Sequence, residues 1–232
     1  GGGGRLGYFL LDMSVAIDGP AGSGKSTAAR KLADLLGVAY LDTGAMYRAV
    51  TLKALREGID LHDQQALYRC AASADIRLTA RAEGVRVELD GQDVSDAIRS
   101  AEVTDKARYA AGCPGVREAM VRLQRQAGAE LGSFVTEGRD QGSVVFPDAE
   151  VKIFLHADPL VRAQRRAAEM AERGEPASVE EIHRKIVDRD ESDRNRQVGP
   201  LVQPADAVAF DTGSRSIEQT AQALLEIVRD RT

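Results

Sequence analysis

Residues 14–30 read SVAIDGPAGSGKSTAAR. A β-branched apolar run, Val15 to Ile17, leads into Gly19-Pro20-Ala21-Gly22-Ser23-Gly24-Lys25-Ser26, which satisfies G-x-x-x-x-G-K-[ST] at every position. A helical pattern follows from Lys25 to about Leu36. Strand, glycine-rich turn and helix in this order form a phosphate cradle. Gly19, Gly22 and Gly24 allow positive φ, so that several backbone N–H groups can converge on one anion. The positive end of the helix points at the same place. Lys25 adds a mobile cation for the outer phosphates, and the Ser26 hydroxyl is a candidate ligand for Mg²⁺. Gly19, Pro20, Ala21, Gly22, Ser23, Gly24, Lys25, Ser26 and Thr27 are therefore expected to bind the phosphates of ATP. The competing reading, a glycine-rich turn that binds nothing, does not account for the strand and the helix that flank it.

Outward from this stretch, apolar runs alternate with helical patterns. Val38 to Leu41 reads as a second buried strand, and Asp42-Thr43-Gly44 caps a helix to about Arg56, with Thr43 as the N-cap. Asp63 to Ala72 reads as a short helix. Ala74 to Ala80 and Gly84 to Asp90 alternate apolar and polar residues, the pattern of a hairpin with one wet face. Helices are expected at about 101–111 and from Pro114 to about Ala127. The core pattern returns with strands at Ser133–Thr136, Val151–Leu155 and Ala207–Phe210, and helices at Pro159–Arg173, Val179–Arg194 and Ser216–Arg229. The fold class is α/β: a five-stranded parallel sheet covered by helices on both faces, carrying an inserted subdomain with an antiparallel hairpin. The boundaries read as a core of 13–59 and 113–232, an insertion at about 60–112, and a charged helical lid at about 186–199 that Gly199-Pro200 ends. Residues 1–12 read as a disordered extension, with Met13 a candidate natural start.

Composition narrows the function. The chain is 43% hydrophobic and 29% charged with a net charge of −5, which supplies no global attraction to nucleic acid or to an anionic membrane surface. No run approaches the length of a spanning helix, and a cytoplasmic location is expected. Arg outnumbers Lys by 25 to 6, which suits anionic substrates and is equally produced by codon bias. Cys70 and Cys113 lack metal or redox spacing and read as reduced thiols. His62, His156 and His183 are scattered, with no metal-ligand pattern.

Three further polar clusters fall at strand ends or on the lid. Thr43 and Arg48 follow the second strand, an arrangement that suits an anion near the helix start and equally suits a capped helix with a surface arginine. Gly138-Arg139-Asp140-Gln141-Gly142 ends another strand, where ligands of open parallel sheets bind. In Arg189-Asp190-Glu191-Ser192-Asp193-Arg194-Asn195-Arg196, helical spacing places Arg189, Asp193 and Arg196 on one face. Such a run is usually a solvated helix; as a mobile lid it would bring arginines over transferring phosphates. Asp18 and Glu137 are candidates for organising the waters of a magnesium ion.

Together these stretches resemble the bacterial cytidylate kinases: IDGPAGSGKST (17–27), LDTGAMYR (41–48), DGQDVSDAIR (90–99), PGVREAM (114–120), EGRDQGSVVFPDAEVKIFL (137–155) and RDESDRNR (189–196). The resemblance spans nearly the whole chain from Ser14. It implies transfer of the ATP γ-phosphate to CMP or dCMP on a P-loop core with a nucleoside-monophosphate insertion and a short lid, by a monomer that binds no nucleic acid and no membrane. It implies that Thr43, Arg48, Arg117, Arg139, Asp140, Asp193 and Arg196 surround the acceptor, and that Lys25, Arg139, Arg189, Arg194 and Arg196 neutralise the transferring group. It also implies a serine near the cytosine, six residues before Pro114, where this chain has Arg108. UMP or shikimate as acceptor is the alternative within kinases. A guanine-nucleotide switch would need Asn-Lys-x-Asp, and the single asparagine, Asn195, is not in that context.

Overall fold

The chain is described by a computed structural model over residues 13–81 and 84–232. The extension at 1–12 and the tip of the hairpin lie outside the described residues. Strand β1 (Ser14–Asp18) leads into α1 (Lys25–Leu36), then β2 (Ala39–Asp42), α2 (Thr43–Arg56) and α3 (Gln64–Ser73). Strands β3 (Ile76–Arg81), β4 (Gly84–Leu89) and the short β5 (Gln92–Asp93) follow, then α4 (Ala101–Gly112) and α5 (Pro114–Leu131). The remainder is β6 (Phe134–Gly138), β7 (Val151–His156), α6 (Pro159–Glu172), α7 (Val179–Arg194), β8 (Val208–Asp211) and α8 (Ile217–Arg229).

The five apolar runs form one parallel sheet in the order β2-β6-β1-β7-β8. With β1 in the middle, Val15 and Ile17 are fully buried, and they align with Val135 of β6 and with Val151 and Ile153 of β7. These side chains and Leu155 point to one face and pack against Ala28, Ala29 and Leu32 of α1 and Leu224, Leu225 and Val228 of α8. The opposite face presents Phe134 to α5. The hairpin and β5 make a separate antiparallel sheet in the order β3-β4-β5. Its apolar side chains Ile76, Val87 and Leu89 share a second core with residues of α2, α3, α4 and α5. A third, small cluster joins Ala163 of α6 to Ile182 and Ile186 of α7.

Three local features depart from the sequence reading. Asp42, not Thr43, caps α2: its Oδ1 accepts from Ala45 N at 2.9 Å, while the Thr43 hydroxyl donates to the Glu137 carbonyl at 2.7 Å. Helix α5 runs past Ala127 to Leu131, because Gly128 lets it lie against a tilted Phe134–Phe146 ring pair. Residues 141–145 form one π-helical turn, with Phe146 N donating to Gln141 O at 2.7 Å and Val145 N to Asp140 O at 3.0 Å.

Gly128 offers a test of this packing. A Cβ there would lie 2.8 Å from Phe146 Cε1 and 3.0 Å from Phe134 Cζ. Ala is the better helix former by about 1 kcal/mol, but overpacking costs about 1–3 kcal/mol. Gly128→Ala is expected to lower the urea midpoint without changing the slope of the transition. A raised midpoint would show that the rings give way freely.

Candidate active site

The parallel sheet gathers the carboxyl ends of its strands on one edge, and the polar clusters collect there. Gly19, Gly22 and Gly24 have φ of 155°, 73° and 85°. The loop is drawn tight against β7, so a Cβ on Gly19 would overlap the Leu155 carbonyl oxygen. Lys25 opens α1 and is 4% exposed; its Nζ donates to Pro20 O at 2.6 Å. Ser26 and Thr27 are exposed at the mouth of the loop. The Ser26 hydroxyl donates to Glu137 Oε1 at 2.8 Å, which joins the loop to the end of β6. A hydroxyl and a carboxylate are hard oxygen donors, so this pair fits a magnesium ion. Among the described residues no group of three or more His, Cys, Asp or Glu converges as a metal site, so further oxygens would come from phosphate and water, as is usual for Mg²⁺.

Asp18 has a different role from its expected one. At the end of β1 and 1% exposed, its carboxylate accepts from Gln141 N at 2.8 Å and Gly142 N at 2.7 Å. It thereby ties the π-helical turn to the middle of the sheet and so sets the direction in which Arg139 and Asp140 leave β6. Burial pushes its pKa up to about 6 despite these two N–H donors.

The residues expected around an acceptor converge. Arg48 pairs with Asp42 at 3.3 Å. Arg117, from α5, reaches Asp140 in a fully buried ion pair, donates to Ala111 O at 3.0 Å, and stacks over Tyr47. The Nε atoms of both Arg48 and Arg117 are buried without a hydrogen-bond partner. Gly199, at the far end of the lid segment, has φ of 62° and lies so close to the Arg117–Asp140 pair that a Cβ would overlap both side chains.

At the end of α7, Arg139 Nε donates to Asp193 Oδ2 at 2.8 Å, and Arg196 pairs with the other oxygen of the same carboxylate. Burial alone would raise the Asp193 pKa, but Arg139 and Arg196 outweigh it and hold the carboxyl below the usual carboxylate range. Helix α7 ends at Arg194 and Arg196 approaches from the loop beyond, yet Arg189, Asp193 and Arg196 do come together: the charges of Arg139, Arg196 and Arg189 all act on the Asp193 carboxyl. The buried face of α7 carries Ile182, Ile186, Asp190 and Asp193. Arg194 is exposed. Arg108 is exposed on α4, 3.6 Å from Asp105 and stacked on Tyr109.

Some residues of the site were not singled out from sequence. Arg162 of α6, 2% exposed, donates to Ala21 O of the loop at 2.8 Å and pairs with buried Asp190 at 2.5 Å. The Thr212 hydroxyl, after β8, donates to Ser23 O at 3.0 Å, and Arg165 donates to Gly213 O at 3.0 Å. Arg162 and Arg165 lie in an arginine-rich stretch of α6 that reads as solvated surface, so no signal in the sequence separates them from Arg166.

A profile of the cytidylate kinase family matches residues 15–230. The chain belongs to the cytidylate kinase family. The cytidylate kinase of Pelotomaculum thermopropionicum is 50% identical over 213 residues, which covers 91% of this chain and 94% of that protein. The cytidylate kinase of Shouchella clausii is 45% identical over 220 residues, covering 95% and 97%. An uncharacterized protein from Eubacterium ventriosum shares the fold with a TM-score of 0.50 at 13% identity, over 95% of this chain and 99% of that one. As a member of this family of transferases, the chain is an ATP-dependent kinase, and the expected P-loop fold holds.

The electrostatics of this cytidylate kinase site give two expectations. Burial first, and the neighbouring charge of Arg139 second, lower the Lys25 pKa to about 7. At pH 8 the amine is then largely neutral, and a polyphosphate arriving beside it raises its proton affinity. ATP binding at pH 8 should take up protons and at pH 6 should not. Calorimetry in Tris and in Hepes checks this: the apparent enthalpies should differ at pH 8 alone, and the difference should vanish in Lys25→Met. Asp18→Asn places an amide N–H₂ where two N–H donors need an acceptor, and should cost about 1–3 kcal/mol of stability, measured by urea unfolding.

Proposed function

We propose that this cytidylate kinase moves the γ-phosphate of ATP to the phosphate of CMP or dCMP, giving ADP and the nucleoside diphosphate. The observation that carries the reading is that Arg48 of α2 and Arg117 of α5, two of the arginines with a buried, unpartnered Nε, belong to the polar cluster at the edge of the sheet that also carries a complete phosphate loop. Buried guanidinium N–H groups without acceptors are costly, and a phosphate or nucleotide oxygen would satisfy them.

The acceptor phosphate is already an anionic nucleophile at neutral pH, so no general base is needed. Residues 19–27 would hold the ATP phosphates, with Lys25 leaving the Pro20 carbonyl for an outer phosphate oxygen. Ser26 and Glu137 would hold Mg²⁺, which when bound supplies further charge neutralisation. Arg48 and Arg139 would bind the acceptor phosphate, and Thr43, Arg117 and Asp140 would position its sugar and base. Asp193 keeps Arg139 and Arg196 together, and Arg189 and Arg194 are free to turn toward the phosphates. Catalysis then consists of alignment and charge stabilisation. Residues 60–112 would carry the acceptor-binding insertion and 186–199 the lid. Free, buried Cys70 and Cys113 suit a reducing, cytoplasmic compartment, and the protein would act as a monomer. Among the described residues no helix is long and apolar enough to cross a membrane.

A coupled ADP-release assay with Mg-ATP and CMP, dCMP, UMP, AMP, GMP and shikimate tests this. Turnover should favour CMP and dCMP, and Lys25→Ala and Arg139→Ala should each lower kcat by about a hundredfold or more with the fold intact by circular dichroism. Preference for UMP would transfer the choice of base to the region of Arg108; turnover of no acceptor would end the kinase reading.

A further inference from the structure

Arg162 has no place in the scheme above, yet it is among the most deeply buried side chains of the protein. Its guanidinium is committed in three directions. Nε donates to Ala157 O, at the end of β7, at 3.0 Å. Nη1 is shared between Ala21 O of the phosphate loop at 2.8 Å and Asp190 Oδ1 of α7 at 3.2 Å. Nη2 completes a two-pronged pair with Asp190 Oδ2 at 2.5 Å. Its methylene stem supports the loop from below: a Cβ on Gly22 would touch Arg162 Cβ at 3.6 Å. One side chain thus links a sheet strand, the apex of the loop and the lid helix.

Docking α7 on α6 does not require this arrangement. Ala163, Ile182 and Ile186 already pack the two helices together, and a buried ion pair is often no more stabilising than apolar residues of the same size. What the pair adds is direction. Asp190 and Asp193 lie three residues apart on the buried face of α7, less than one helical turn. Asp190 is held by the residue that touches the loop, and Asp193 holds Arg139 and Arg196. Two sets of charge-assisted hydrogen bonds, Ala21 O–Arg162–Asp190 and Asp193–Arg139, are therefore joined by less than one turn of α7. The Nη1 atom is shared between two acceptors, so a turn of the Ala21 carbonyl on polyphosphate binding would shift the balance toward Asp190.

We propose that Arg162 is a positioning residue that transmits occupancy of the phosphate loop to the lid helix, with Asp190 as its receiver. This rests on the phosphoryl-transfer reading of the same site, and the test separates the two. Hydrogen exchange of α7 amides is followed on adding Mg-ATP alone, without an acceptor. In the natural protein, ATP should slow exchange over residues 186–196 by about tenfold or more. In Asp190→Asn, which keeps the side-chain volume, the slowing should largely disappear while ATP still binds. Arg162→Lys, which keeps the charge but loses the planar fork, should behave alike. With CMP as acceptor, both variants should lose about tenfold or more in kcat with KM for CMP within threefold, and the double variant should be no worse than the weaker single. An undiminished response of α7 in Asp190→Asn would overturn the proposal, as would losses that multiply in the double variant. If neither variant folds by circular dichroism, the pair is a folding staple and the proposal fails. A natural protein that shows the ATP response but phosphorylates no nucleoside monophosphate would overturn the proposed function and leave the coupling standing.

Discussion

A parallel sheet points every strand the same way, so the carboxyl ends of β1, β2, β6, β7 and β8 must be finished together on one edge. In this protein those ends carry Asp18, Asp42, Glu137, Gly138, His156 and Asp211. The edge is covered by the phosphate loop, the lid segment and the start of α2, which removes much of that charge from water. Every buried charge there needs a partner, because an ion desolvated alone costs several kcal/mol. The rest of the site follows from how this requirement is met.

The partners are taken from distant parts of the chain, and each pair consequently fixes two elements relative to each other. Arg117 with Asp140 joins α5 to the turn after β6. Arg139 with Asp193 joins that turn to α7, and Arg162 with Asp190 joins α7 to α6 and the loop. Asp18 pairs with no cation; it uses two backbone N–H groups to hold the π-helical turn from which Arg139 projects. Neutralisation is incomplete on the cationic side. Lys25 rests on a carbonyl oxygen, and Arg48 and Arg117 each keep a buried donor without an acceptor. An oxygen-rich anion would supply the acceptors that these buried N–H groups lack.

Much of the fold was legible because local rules and tertiary needs agree. Val15-Ala16-Ile17 is too apolar for anything but a buried strand, and the glycines after it admit the positive φ that the loop adopts. The cap of α2 was assigned one residue late. Asp42 and Thr43 both suit an N-cap, and Asp42 takes it because Thr43 is drawn to the Glu137 carbonyl on the neighbouring strand. The end of α5 was misplaced because Gly128 reads as a helix stop unless the two phenylalanines packed against it are known.

Neighbours in the chain are enough to specify the strand–loop–helix unit, the alternation that makes the sheet parallel and the inserted hairpin. There periodicity and turn chemistry act. Only the tertiary structure decided which charges pair. Helical spacing joined Arg189 to Asp193, and the fold adds what spacing did not show: Asp190 is buried as well and pairs with Arg162. Arg162 looks in sequence like the other arginines of its helix and is in fact almost wholly enclosed. The reason is physical: which face of a charged helix goes inward is chosen by the few apolar residues it carries, here Ile182 and Ile186, together with the partners waiting on another element. Those partners lie tens of residues away, beyond the reach of any local pattern.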